Sequence, residues 1–368
     1  MELKFTDAYA AFLDAVPDPR MSGGNLRYPL SEMLLLCLSA SICGLKDWTD
    51  IAVFGQSQLA WLRQYLPYKN GTPSHDCLGK TFAQIDNEAF SQAFTAWACT
   101  LRSDADQHLA IDGKCLRGSH DRTNGKAAIH LVNAFATQQG ITLGQRKVDD
   151  KSNEITAIPA LIEALVTKGC VVTIDAMGCQ HDIAQQIIDA EANFVLAVKD
   201  NHPQLAEQAQ QAFAAATVAD RFEQTESDHG RVERRKTEIV TNLKWSPRIK
   251  EWAGAKAVAR VQSHRYDKRT GKEQTEYRFY LCSLTSARII HEAIRHHWHI
   301  ENRLHWVLDV TFGEDESRKR DRQSAQNFSL VTKGALNLIR HHGKKGSIKG
   351  QRTKAAFDVK FREELMFT

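Results

Sequence analysis

Three acids in this chain are placed where they could do metal chemistry. Asp112 ends the apolar run HLAID and Asp175 ends CVVTID, while Glu301 lies much later, inside HHWHIENRLHW. A carboxyl group at the tip of a buried strand is dry on one side and open to water on the other. That placement is costly unless a cation compensates it. Two strand-end Asp residues and one helical Glu form a set able to hold a pair of divalent ions for phosphoryl transfer. Taken singly, each Asp is equally well explained as a loop opener or a helix cap. The order of the surrounding elements therefore carries the argument.

After about residue 103 the pattern alternates strand and helix. HLAID, AAIHLVNAFA and ITLGQRKV read as three strands separated by Gly-containing turns. SNEITAIPALIEALVTKG reads as a helix with a polar start and a Gly stop, followed by strand CVVTID, helix HDIAQQIIDA and strand NFVLAVK. This is the order of an α/β ribonuclease H-like core, a mixed five-stranded sheet flanked by helices. Asp112 ends its first strand and Asp175 its fourth, and these neighbour each other in such a sheet. RVERRKTEIV, AKAVARVQSH and EYRFYLCSL then predict an inserted β-rich subdomain at about 217–285, rich in Arg and Lys. A last core helix starts near Ala287, with Ile290, Ile294, Trp298, Glu301, His305 and Leu308 on one stripe, which turns Glu301 toward the sheet. A buried pair of Glu301 with Arg295, Arg303 or His305 would satisfy the same placement, and Asp309 is the reserve third acid.

Residues 1–102 read as an all-helical N-terminal domain. SEMLLLCLSASICGL is expected to be capped by Ser31, and further helices follow Asp47 and Ser74. Such a module suits either DNA contact or packing. The catalytic domain is expected over 103–345 and a basic C-terminal tail over 346–368. The whole chain of 368 residues carries a net charge of only +4, so composition alone demands no nucleic acid. From Ser317 onward, however, 13 Lys or Arg stand against 4 acids, which suits a phosphate backbone or a solvated helix equally. Eight cysteines without a C-x-x-C pair read as reduced thiols rather than a zinc site or disulfide framework. MELKFTDAYAAF lacks the layout of a signal peptide, and the apolar run Met33–Cys43 is too short to span a bilayer. The expectation is a cytoplasmic protein with no membrane partner.

IDGKCLRGS, KSNEITAIP, TIDAMGCQ, AVKDNH, DHGRVERR and RHHWHIENRLHWVLDVTFGEDESR together resemble the H-repeat-associated transposases of bacterial insertion sequences, nearly from end to end. These are DDE transposases with a ribonuclease H-like core. The resemblance implies that Asp112, Asp175 and Glu301 are the catalytic triad and hold two Mg²⁺ or Mn²⁺ ions. It also implies DNA as partner, both element ends and target, with a homodimer assembled on DNA near the bacterial nucleoid. Where the broader class carries Tyr, Arg and Lys around the Glu, this chain has Ile294, His297 and Leu308. His297, Asn302, Arg303 and His305 are candidates for the DNA contacts those residues would make. Lys114, Arg117 and Lys199, close to the acids, are candidates for the scissile phosphate or plain surface cations. His229, Arg231, Arg234 and Arg235 on the insertion could contact the DNA-end backbone or form a solvated strand face. A metal-dependent nuclease without strand transfer and a catalytically silent DNA-binding relic are the alternatives.

Overall fold

The computed structural model describes residues 7–20, 26–103, 106–120, 127–148, 153–199, 201–228, 230–244 and 246–367. It is a mixed α/β structure in two compact units. The first comprises Met1–Asp106, Gly113–Asp149 and Glu301–Thr368; the second comprises Gln107–Asp112 and Asp150–Ile300. Strand β1 (His108–Leu116) begins in the second and ends in the first, so its Asp112–Gly113 peptide is one of the crossings.

The first unit opens with α1 (Asp7–Ala15), α2 (Leu30–Ile42), α3 (Trp48–Ser57), α4 (Leu59–Leu62), α5 (His75–Phe82) and α6 (Asn87–Thr100). Helix α2 is apolar on nearly every face and is buried accordingly. It starts one residue before the expected Ser31 cap, because Pro29 has its backbone preset and leads straight into Leu30. Ser74 caps α5 as expected, accepting from the Cys77 amide at 3.3 Å. The unit adds β2 (Ile129–Ala136) and antiparallel β3 (Ile141–Lys147), then α12 (Arg322–His341), which packs on α2, α6 and β3. Asn337 on α12 bonds both the amide and the carbonyl of Thr142, each at 2.8 Å, and so fixes the helix on the sheet.

The expected basic tail is mostly two helices, α13 (Ile348–Phe357) and α14 (Val359–Phe367). Arg352 donates to the Ser41 and Thr311 carbonyls, and Arg362 donates to Gln58 Oε1 at 2.8 Å over the Trp61 ring. Both arginines are buried, which a weakly hydrated guanidinium tolerates when several acceptors surround it.

The second unit carries α7 (Ile158–Leu165), β4 (Val171–Ile174), α8 (His181–Asp189), β5 (Asn193–Val198) and α9 (Pro203–Ala215). Next come β6 (Asp220–Asp228), β7 (Arg231–Val240), α10 (Pro247–Lys250), β8 (Ala257–Asp267), β9 (Glu273–Cys282) and α11 (Ala287–His299). Strand β4 is parallel to both β1 and β5. The nine strands run in the order β3-β2-β1-β4-β5-β9-β8-β7-β6. The insertion therefore does not form a sheet of its own. The apolar end of β9 pairs antiparallel with β5, Val195 opposite Cys282 and Leu196 opposite Leu281, covering an edge that would otherwise stay open. Ile290, Ala293 and Ile294 of α11 share a core with Val195, Ile239, Ala259 and Val261.

Past α11 the helix widens into two π-helical runs, Ile300–His305 and Val307–Thr311, which from Glu301 onward belong to the first unit. The expected single stripe breaks there. Ile300, Leu304 and Leu308 are buried, whereas Trp298 and Glu301 are exposed. A π turn takes in an extra residue, which shifts every later position around the axis.

All eight cysteines are unpaired thiols. No helix of the described residues is long and apolar enough to cross a membrane.

Candidate active site

In the second unit, the register of β1 and β4 places the two Asp residues side by side. Ile111 is opposite Ile174, and Asp112 and Asp175 are the next residues on these parallel neighbours. Asp175 also opens the short 3₁₀ turn Ala176–Gly178, its Oδ1 accepting from the Met177 and Gly178 amides at 3.1 and 3.4 Å. Asn201 Nδ2 holds the Ala176 carbonyl at 2.5 Å, and His202 Nε2 donates to Cys179 O at 2.6 Å, so the turn is braced from behind. Burial pushes the Asp175 pKa up and the charge of Glu154 adds to this, against the pull of the amides and of Lys199. A carboxyl group in that setting gains from a cation. Lys199 directly follows β5 and is exposed.

Two residues before Asp175, the Thr173 hydroxyl sits between His297 Nδ1 (3.0 Å) and His108 Nε2 (3.2 Å). Burial lowers the His297 pKa to about 4, and burial with the nearby His296 takes His108 well below the ordinary imidazole value. His297 is therefore neutral near pH 7, which gives it no charge with which to grip phosphate.

In the first unit, Glu301 lies on the first π run, exposed, with His305 one turn later and nearly buried. A carboxylate oxygen of Glu301 and a ring nitrogen of His305 lie within 4.8 Å of each other. Asn133 of β2 faces this imidazole, its Nδ2 3.4 Å from His305 Nε2. The π run is tied to the β2–β3 turn by arginines. Arg303 donates to Thr137 O at 2.8 Å, and Arg340 donates to Gly140 O at 2.6 Å and to the Arg303 carbonyl. Burial lowers the pKa of both, that of Arg340 to about 9.

Lys114, two residues past Asp112, is buried and is held by Asp309 and by Glu314 Oε2 at 3.4 Å. Burial works against its charge, but Glu314 and Asp309 outweigh that and raise its pKa. Behind this pair, Ser329 Oγ bonds Glu314 Oε1 at 2.9 Å, and Lys333 bonds Ser329 Oγ and Gln145 Oε1 at 2.6 and 2.7 Å. Lys114 and the reserve acid Asp309 thus neutralise each other.

The remaining candidates are spread out. Arg117 is exposed, 3.7 Å from Asp315, and Asn302 is exposed beside Glu301. On β7, Arg231 lies 3.7 Å from Asp267, Arg234 pairs with Glu223, and Arg235 lies between Glu226 and Glu233. His229 falls outside the described residues. Asn133, Arg340 and Lys333 were not singled out from the sequence. Asn133 interrupts the apolar run LVNAFA of β2, and a lone polar residue there is the signal that could have found it, whereas Lys333 and Arg340 lie on α12 among many other polar residues and carried no such signal.

Residues 103–338 match the Transposase DDE domain family, and residues 10–98 match the DDE_Tnp_1-associated family. The putative transposase YncI of Escherichia coli O157:H7 is 39% identical over 367 residues, 96% of this chain and 93% of its own length. The H repeat-associated putative transposase YhhI of Escherichia coli K12 is 36% identical, with 94% of each chain covered. A solved piggyBac transposase synaptic complex with hairpin DNA aligns with a TM-score of 0.44 at 11% identity, over 98% of this chain and 80% of that one. The family matches and the near full-length relatives make one assignment: the chain belongs to the DDE transposase family, alongside the H repeat-associated transposases.

Proposed function

We propose that the protein is a DNA transposase that cuts the ends of its element and joins them to target DNA, with Asp112, Asp175 and Glu301 as the acids of a ribonuclease H-like core. The observation that carries this reading is the register that sets Asp112 and Asp175 side by side on parallel neighbours, Asp175 just past the end of β4 and Asp112 within β1, which runs on to Leu116 instead of ending at the acid. The strand order β3-β2-β1-β4-β5 supports the core assignment, with β2 and β3 antiparallel and β1, β4 and β5 parallel.

The residues fit a hard divalent cation. Asp175 uses Oδ1 for backbone amides, while its Oδ2 takes no hydrogen bond among the described residues, and Asp112 and Glu301 supply further carboxylate oxygens. Two Mg²⁺ or Mn²⁺ ions held there would make a water or a 3′-OH nucleophilic and stabilise the departing 3′-oxygen. The amides of Met177 and Gly178 keep the Asp175 carboxylate in place. Lys199, exposed directly after β5, is suited to phosphate, as are Arg117 and Asn302. Because transposition joins two ends, the working assembly on DNA contains at least two copies.

The test uses DNA carrying the inverted repeats that flank the gene. Asp112→Asn, Asp175→Asn and Glu301→Gln should each lower cleavage at least about a hundredfold while leaving end binding intact. Mg²⁺ or Mn²⁺ should support cleavage, and Ca²⁺ binding only. Cleavage that persists in EDTA would reject the metal mechanism. Binding without cleavage under any metal would make the chain a silent relic, and cleavage without joining would make it a nuclease.

A further inference from the structure

The geometry points to His305 as a nitrogen ligand of the metal site, held in the required tautomer by Asn133. This rests on the reading of Glu301 as a metal-holding acid. His305 is only 7% exposed, and its ring lies one π turn beyond Glu301 with a nitrogen within 4.8 Å of the carboxylate. An imidazole presents one nitrogen as donor and the other as acceptor, and the group beside Nε2 decides which is which.

That group is the Asn133 amide. It has no exposed surface, its Nδ2 is 3.4 Å from His305 Nε2, and its Oδ1 accepts no hydrogen bond among the described residues. No donor therefore fixes the amide in one orientation, and a half-turn exchanges its oxygen and nitrogen. With Nδ2 toward the ring, Nε2 accepts and Nδ1 carries the proton. With Oδ1 toward the ring, Nε2–H donates and Nδ1 keeps its lone pair. A cation taken by Nδ1 beside Glu301 would select the second arrangement, in which an outer amide oxygen orients a ligating histidine. A nitrogen among carboxylate oxygens also shifts preference from Mg²⁺ toward Mn²⁺, because imidazole suits transition metals.

Mn²⁺ alone, added to the full-length protein without DNA, is the probe, read by pulsed electron paramagnetic resonance. The wild type should show the ¹⁴N coupling of a bound imidazole, replaced by a ¹⁵N pattern after labelling with ¹⁵N-histidine. His305→Gln should lose the coupling and at least tenfold in Mn²⁺ affinity, while His297→Gln keeps both. Asn133→Asp, which can only accept from Nε2–H, should retain the coupling, and Asn133→Leu should weaken Mn²⁺ about tenfold or more with His305 intact. If His305→Gln does not fold, this Asn133 pair carries the test, and equal affinity in Asn133→Leu and the wild type overturns the proposal. Coupling that survives in His305→Gln overturns it too. Mn²⁺ bound without ¹⁴N coupling, and lost in Asp112→Asn, overturns only the nitrogen ligand and leaves the three acids standing. Absence of Mn²⁺ binding by the wild type overturns both.

Discussion

Lys333 keeps an amine where water does not reach, and its pH behaviour follows from that. Burial lowers its pKa to about 8, with Glu314 pulling the other way, against 10.5 for the free side chain. Between these values the unfolded chain holds a proton that the folded chain does not. The contribution of Lys333 is therefore fully present above pH 10.5 and is lost as pH falls toward 8. Lys333→Met should remove this slope, so the gap between wild type and variant should change between pH 10 and pH 7 by up to about 3 kcal/mol in favour of the variant. Urea unfolding at the two pH values measures it. A gap independent of pH would mean that the amine titrates alike in both states.

At the scale of elements, the β2–β3 turn acts on the helix that bears Glu301. Gly140 in that turn has φ +80°, and a Cβ there would lie 2.6 Å from Arg303 Nη2. Gly140→Ala should cost about 1–2 kcal/mol for the left-handed backbone alone and displace the Arg303 guanidinium from Thr137 O. Thermal unfolding should register the loss, and cleavage should fall further than stability because Glu301 shares the π run with Arg303. Cleavage that falls only in step with stability would argue against such coupling.

The strands and helices of this region were legible in sequence because each has a clean period and a turn residue at its end, as in CVVTID followed by AMG. The π runs were not. HHWHIENRLHWVLDV scans as an ordinary helix, and its wider turns depend on tertiary partners such as Asn133, Thr137 and Lys114 that sequence spacing does not reveal. For the same reason the period placed Glu301 inward, whereas it is exposed. The attachment of β9 to β5 was also hidden, since EYRFYLCSL is equally apolar whichever strand it pairs with.

For the molecule as a whole, the small net charge of +4 conceals a division among its cations. Arg231 and Arg234 have side chains 72% and 62% exposed, the first in a loose pair with Asp267 and the second hydrogen-bonded to Glu223 on the neighbouring strand. Exposed pairs of that kind are worth no more than about 1 kcal/mol, so a DNA phosphate can replace the acid. Arg235 is only 12% exposed between two carboxylates. Replacing Arg231 and Arg234 together by Gln should lower the slope of log affinity against log salt by about two. Arg235→Gln should leave that slope unchanged and lower the melting temperature. A slope unaffected by the double replacement would make these strands bystanders and shift the DNA contact to the helices of the first unit.

The two π runs also make this region unevenly sensitive to chain length. Between Glu301 and Asp309 the helix accommodates more residues per turn than an α-helix does. Losing one residue there, Trp306 for example, would let the segment relax to α geometry. That loss would leave the downstream residues facing nearly as before, whereas a residue lost from the regular turns of α11 would rotate everything downstream by about 100°, since each α-helical residue spans that angle. In that second case Asp309 would swing away from Lys114 while no surviving residue had changed its type. In an alignment such a chain would keep all three acids and still have lost the spacing on which they depend, so a count of intact acids is an unsafe guide to which copies remain active.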